Sequence, residues 1–405
     1  MRSYKLHIPQ GVQDFLPGEC YAKRQVENAL RKLWRSQGFL EVQSPAFEYL
    51  DVFEADKEAM DNSQMFKFTD ENGRLLALRP DMTLPIARMA ASRMPEAQRP
   101  IRLFYLDNVF KFSAASSGDF RESAQAGVEL LGACCAAADA EVIASAIDAL
   151  LCAGVSDFQI ELGQVAFFKG LMKQAGLDNG QAESVRVLVE EKNAVALELL
   201  MRKMRLPDEA RDCIMHLPGL YGGLEVLEEA RNMSGDPLCV QAIDNLQEIH
   251  DILCDIGFGK FISFDLGMLH QINYYTGVIF RGLSPQVGYP LLSGGRYDRL
   301  LRYYGQDMPA TGFALRLKTV LIALEKQRGL PKMPACAYMV GFESGARPAA
   351  FERMRHLRRQ GHVVTQFLGG DAREFEQAVK SGAAQRGEYF KNDGTVVCFQ
   401  KEENR

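Results

Sequence analysis

Gln125 and Glu129 stand four residues apart in ESAQAGVELLG, an alternating run that reads as a β-strand. Both side chains therefore point to one face. An amide and a carboxylate presented together can accept hydrogen bonds from a ligand rich in N–H groups. Asp81 follows Arg79 and Pro80 at a turn, with Thr83 close behind. It reads equally as the carboxylate that complements a helix N-terminus, and Glu129 reads equally as an ion-paired residue at a sheet edge. In FDLGMLHQINYYTGVIFRG (264–282), Tyr275, Gly277, Ile279 and Arg281 share one strand face, while Tyr274, Thr276 and Phe280 share the other. The tyrosines suit a pocket wall or plain core packing. Each group alone is a weak signal.

Other chemistries find no support. The chain has no G-x-x-x-x-G-K-[ST], no G-x-G-x-x-G opening a helix and no G-x-S-x-G. Its six histidines, at 7, 216, 250, 270, 356 and 362, form no H-x-x-x-H pair. Nine cysteines include no C-x-x-C pair, which argues against a zinc site or disulfide framework and for a reducing cytoplasm. Neither metal nor cofactor is expected. A net charge of -5 gives no reason to expect nucleic acid over the whole surface. The N-terminal MRSYKLHIPQGVQDFLP lacks an apolar signal core, and no run of about 18 apolar residues predicts a membrane span.

The elements that must position these residues follow from periodicity. At 405 residues the chain calls for more than one core. A first helix is predicted from about Tyr21 to Gln37, with Val26, Leu30, Leu33 and Trp34 on one face and Gly38 as its stop. IRLFYLDNVFKF and ESAQAGVELLG read as a hairpin joined by the long polar loop SAASSGDF, and such loops are more often functional than accidental. A helix is predicted from about Asp139 to Ala153, then a strand, then a helical insertion over about 167–256. Strands resume at FISFDLG, NYYTGVIFRG and LLSGGRYDRLL, before a helix in ALRLKTVLIALEKQ. EKQRGLPKMP reads as a linker to a small α/β unit ending in a hairpin at Asn392-Asp393-Gly394. The expected division is a core over 1–328 and a small domain over 329–405.

In order along residues 6 to 325, the segments resemble histidyl-tRNA synthetase and its class II relatives. IPQGVQDFLP resembles the family's opening and GFLEVQSPAFEYLD its motif 1 dimer segment. LALRPDMTLPIAR resembles the segment that holds the substrate amino group. NVFKFSAASSGDFRESAQAGVELLG resembles the motif 2 hairpin, NYYTGVIF and GGRYDRL the histidine-specific signatures, and PATGFALRLKTVLIAL motif 3. The resemblance implies an α+β fold: an antiparallel sheet flanked by helices, with a helical insertion and a small C-terminal α/β domain.

Departures from the family pattern shape the functional expectation. Lys111 stands where motif 2 has the arginine that grips carboxylate and α-phosphate. His270 replaces the arginine of the histidine-specific loop, Asn273 its aspartate, and Lys318 and Thr319 replace the Glu-Arg that ends motif 3. Lysine keeps charge but not the planar bidentate fork. The resemblance places Asp81, Thr83 and Gln125 at the amino-group side of a histidine site, and Glu129 and Tyr274 at its imidazole side. Tyr275 belongs to the same pocket, and Lys111 or Arg281 is the candidate partner for the ligand carboxylate.

VFKFSAASSGDFRESAQAGVELLG, FFKGLM and NYYTGVIFRG are closest to the synthetase-like regulatory subunits of ATP phosphoribosyltransferase in bacterial histidine biosynthesis. That resemblance implies a non-catalytic subunit that self-associates as a dimer and joins a short catalytic subunit in a hetero-octamer, four of each, with histidine as effector. The alternatives are a divergent histidyl-tRNA synthetase and a tRNA-sensing module. The C-terminal helix with Arg353, Arg355, Arg358 and Arg359 is basic, but solvated basic faces are common, so tRNA is not the expected partner.

Overall fold

The computed structural model describes residues 5–54, 62–112, 120–204, 206–269 and 275–401. His270, Asn273, Tyr274 and nearly all of the motif 2 loop lie outside the described residues. The chain divides into two compact units, Met1–Leu330 and Pro331–Arg405.

In the first unit, α1 (Pro17–Ser36) leads through β1 (Leu40–Glu41) to a small sheet of β2 (Phe47–Tyr49), β3 (Lys67–Thr69) and β4 (Leu75–Leu78), then α2 (Thr83–Arg93). The hairpin strands β5 (Ile101–Phe110) and β6 (Glu122–Leu131) precede α3 (Ala136–Ala153) and β7 (Gln159–Gln164). The insertion holds α4 (Val165–Gln174), α5 (Asn179–Glu190), α6 (Ala194–Met204), α7 (Asp208–His216), β8 (Tyr221–Gly222), α8 (Glu225–Met233) and α9 (Pro237–Asp255). The chain returns through β9 (Ile262–Asp265), β10 (Val278–Ser284), β11 (Val287–Arg296) and β12 (Ala310–Arg316) to α10 (Leu317–Arg328).

Helix α1 begins four residues before the periodic signal. Pro17 occupies the first turn, where its missing N–H costs nothing, and Glu19 reaches back to the Leu16 N–H at 2.9 Å. Ala22, Val26, Leu30 and Trp34 form its buried stripe at four-residue spacing. Gly154, at φ +94, supplies the left-handed cap that ends α3.

Nine strands form the main sheet in the order β1-β5-β6-β12-β11-β10-β7-β9-β8. It is antiparallel from β5 through β7 but parallel at β1–β5 and at β7–β9, so the sheet is mixed. Alternation divides its side chains between two cores. Phe104, Val128, Phe280, Phe313 and Leu315 pack with α1, α3, α10 and the insertion helices. Leu103, Tyr105, Tyr275, Ile279 and Tyr297 face the other way, toward α2 and the short helical turn Leu300–Tyr304. That second face carries the polar groups singled out above. No helix among the described residues is long and apolar enough to cross a membrane.

The second unit is a four-stranded sheet. In chain order it comprises β13 (Tyr338–Phe342), α11 (Arg347–Arg359), β14 (Val364–Gln366), α12 (Ala372–Lys380), β15 (Arg386–Phe390) and β16 (Val396–Gln400), with sheet order β14-β13-β15-β16. β15 and β16 form the terminal hairpin. Of the arginines on α11, Arg353 forks onto Glu388 with two 2.8 Å bonds, and Arg358 bonds the Val364 carbonyl at 2.9 Å. Both serve the unit's own packing.

Candidate functional site

Cross-strand register lays out the site as rows. One row reads Leu103, Glu129, Gly312, Gly295, Ile279 and Gly163 across β5, β6, β12, β11, β10 and β7. The next reads Tyr105, Gly127, Ala314, Ser293, Arg281 and Glu161, and a third reads Asp107, Gln125 and Arg316. Small residues occupy the middle of the first two rows and make a trough in the sheet into which the side chains of Glu129, Tyr105 and Tyr275 fold. Two glycines are sterically required. A Cβ at Gly312 would fall on the Glu129 carboxylate, and one at Gly127 would lie 2.7 Å from the Tyr105 hydroxyl.

Glu129 is almost fully buried at the head of the trough, at 1% exposure. Thr83 Oγ1 donates to its Oε1 at 2.9 Å, and the Tyr297 hydroxyl donates to its Oε2. Burial pushes the Glu129 carboxyl up to about 8, and the Asp81 charge adds to the rise against the two hydrogen bonds. Near neutral pH it is thus mostly protonated. The Tyr105 hydroxyl, also buried, has no hydrogen-bond partner among the described residues, and burial followed by the Glu129 and Asp81 charges raises its pKa well above normal.

Asp81 sits at the turn before α2, where its Oδ1 accepts from the Thr83 N–H at 2.7 Å. Among the described residues this buried carboxylate has no ion-pair partner. Gln125 shares the Glu129 face of β6, and its Oε1 is buried without a hydrogen bond among the described residues. Buried acceptors are rarely left unsatisfied without a functional reason. Together they leave acceptor capacity unused: the Asp81 carboxylate without a cation and Gln125 Oε1 without a donor among the described residues.

The remaining expected residues divide. Tyr275 is buried in the core cluster that contains Ile279 and Tyr297. Lys111 lies just past β5 and is exposed, with its backbone N–H bonded to the Arg121 carbonyl. Arg281 does point to the trough face, but its guanidinium binds Glu161 at 2.7 Å and Asp265 at 3.2 Å. With two carboxylates already bound, it has little donor capacity left for a third. Tyr274 lies outside the described residues.

Three residues of the trough were not singled out from sequence: Tyr105, Tyr297 and Arg316. Tyr105 was visible in principle, since it shares a strand face with Leu103 and Asp107 in IRLFYLDNVF. Tyr297 lies in GGRYDRL, a recognised segment whose individual side chains carry no local signal.

The motif 3 replacements are also accounted for. Lys318 Nζ lies 3.2 Å from the centre of the Phe120 ring and donates to Gln13, and burial lowers its pKa. Thr319 Oγ1 bonds the Arg316 carbonyl at 2.8 Å, within the first turn of α10. Among the described residues no group of three or more His, Cys, Asp or Glu could hold a metal ion.

The raised Glu129 pKa carries a stability prediction. Unfolded, this carboxyl titrates near 4.5, and in the fold near 8. The native state therefore binds the proton more tightly, and the group's contribution is fullest below 4.5 and declines as pH rises to about 8. Melting temperatures of wild type and Glu129→Gln compared between about pH 5.5 and about pH 8.5 should show wild type losing ground as pH rises. Parallel curves would contradict the assigned protonation.

Known proteins resemble the chain along most of its length. The histidyl-tRNA synthetase family pattern matches residues 11–320. The chain is similar to the ATP phosphoribosyltransferase regulatory subunit of Acetivibrio thermocellus, at 41% identity over 93% of this chain and 90% of the relative. It is 39% identical to that of Ruminiclostridium cellulolyticum over 95% of this chain and 92% of the relative. Among solved structures, an ATP phosphoribosyltransferase regulatory subunit/histidyl-tRNA synthetase from Bacillus halodurans C superposes with a TM-score of 0.85 at 31% identity, covering 96% of this chain and 98% of the other. Histidyl-tRNA synthetase from Nostoc sp. shares the fold at a TM-score of 0.81 and 20% identity, covering 98% of this chain and 97% of the other.

Proposed function

We infer, because this chain belongs to the family of ATP phosphoribosyltransferase regulatory subunits, that it activates a separate short catalytic subunit and conveys inhibition by histidine. The catalytic subunit carries out the condensation of ATP with phosphoribosyl pyrophosphate, the first step of histidine biosynthesis. This chain performs no chemistry of its own. The working assembly is a cytoplasmic hetero-octamer with four copies of each subunit, built on dimers of this chain.

The observation that carries the effector reading is the pair of buried, under-used acceptors in the trough. Asp81 is buried without a cationic partner and Gln125 Oε1 without any hydrogen bond among the described residues, beside a mostly protonated Glu129. An amino acid with an imidazole side chain supplies what is missing: an ammonium for the acceptors and a ring nitrogen for the acid. Histidine favours one state of the assembly through its higher affinity for that state, and so biases the partner's active site.

The test is the turnover of a short catalytic subunit with and without this protein, over a range of histidine concentrations. Turnover should rise on addition of the protein and fall with histidine only in its presence. Turnover unaffected by the addition would refute the regulatory role.

A further inference from the structure

We propose that Arg316 binds the carboxylate of the amino acid held in the trough, an assignment that rests on reading the trough as a histidine site. Arg316 is the last residue of β12, opposite Gln125 in the register. Alternation along β12 sends Ala310, Gly312, Ala314 and Arg316 to one face and Phe313 and Leu315 to the other. Phe313 and Leu315 lie in the helix-packed core, and the Gly312 position abuts Glu129, which fixes Arg316 on the trough side.

Among the described residues nothing neutralises its guanidinium. Arg316 is exposed, and among the described residues its side chain has no hydrogen-bond or ion-pair partner. Asp107, the third member of its row, is taken by Arg79 Nη2 at 2.9 Å and by Gln43 Nε2 at 3.3 Å. Arg281, the other arginine on this face, is held by Glu161 and Asp265.

An unpartnered acceptor and an unpartnered cation therefore face the ligand side by side. Directly opposed residues on neighbouring strands stand about 5 Å apart. That is the pairing an α-amino acid head group presents in reverse, with ammonium and carboxylate on one carbon. Gln125 Oε1 would take an ammonium N–H, and the guanidinium would take both carboxylate oxygens through parallel N–H···O bonds. Four residues of strand rise and one strand spacing put the Glu129 and Arg316 Cα atoms about 14 Å apart. With both side chains reaching inward, a ring-bearing amino acid can bridge them, its ring toward Glu129.

The experiment is calorimetric titration of the full chain with L-histidine and with histamine, which keeps the amine and ring but lacks the carboxylate. Arg316→Ala removes an exposed side chain and should leave folding intact. It should weaken L-histidine binding by about 10- to 100-fold, the range for a charge-assisted contact, and leave histamine binding unchanged. Arg316→Lys, which keeps charge without the fork, should fall between. Equal weakening of both ligands, or no effect on L-histidine, would overturn the assignment. Absence of L-histidine and histamine binding by wild type would instead refute the histidine site itself, and this assignment with it.

Discussion

Glu129→Ala should abolish inhibition by histidine while leaving activation of the catalytic subunit largely intact. The carboxyl is buried beneath the trough, whereas docking of another subunit uses exposed surface. The protonated carboxyl shares its proton with the imidazole, and loss of such a charge-assisted hydrogen bond costs about 1.5–3 kcal/mol. Truncation also leaves the Thr83 and Tyr297 hydroxyls without their shared acceptor, at about 1–3 kcal/mol for each buried group. That second cost falls on the fold with or without ligand, so the histidine concentration for half-inhibition should rise by about 10- to 100-fold from the lost ring contact. Glu129→Gln is the companion variant: it keeps the volume and one acceptor oxygen, so it should fold normally while still responding poorly to histidine. Assays of the mixed subunits read both effects at once. Unchanged inhibition in these variants would move the effector site elsewhere, for instance to a subunit interface.

Much of this site was legible because period-two alternation survives in single strands. Gln125 and Glu129 lie on one face of β6, and the flanking runs form the hairpin that alternation in IRLFYLDNVF and ESAQAGVELLG implied. What stayed hidden depends on long-range register. Arg281 was placed on the correct face, but its occupation by Glu161 follows from pairing β10 with β7, 120 residues away in sequence. Arg316 escaped notice because it ends its strand, where alternation gives way to the helical spacing of α10. β3 was missed for a similar reason: Lys67, Phe68 and Thr69 are all exposed and carry no inward pattern. The parallel edges of the sheet are set by how β1 and β9 return to it, which no local signal records.

The second large effect concerns chemistry the site should not perform. Joining histidine to ATP brings a carboxylate against a triphosphate, and preorganised cationic donors must offset the charge that gathers in the transition state. Lys111 replaces a fork with a point charge. Lys318 is turned onto Phe120 and Gln13, Thr319 is bound within its own helical turn, and Arg281 is spent on two carboxylates. Each missing donor costs roughly 100- to 1000-fold in rate. The losses do not simply multiply, yet together they should remove adenylate formation. Recognition needs less, because acceptors for an ammonium, an acid for a ring and a single fork for the carboxylate hold the amino acid without a cluster of cations for a triphosphate.

Radiolabelled histidine and ATP incubated with the assembled complex, followed by removal of free label, denaturation and chromatography, puts both halves of this account to one test. Label should be retained at one histidine per copy of this chain and elute entirely as the free amino acid. Label recovered as histidyl-adenylate, or none retained at all, would contradict a trough that recognises histidine without activating it.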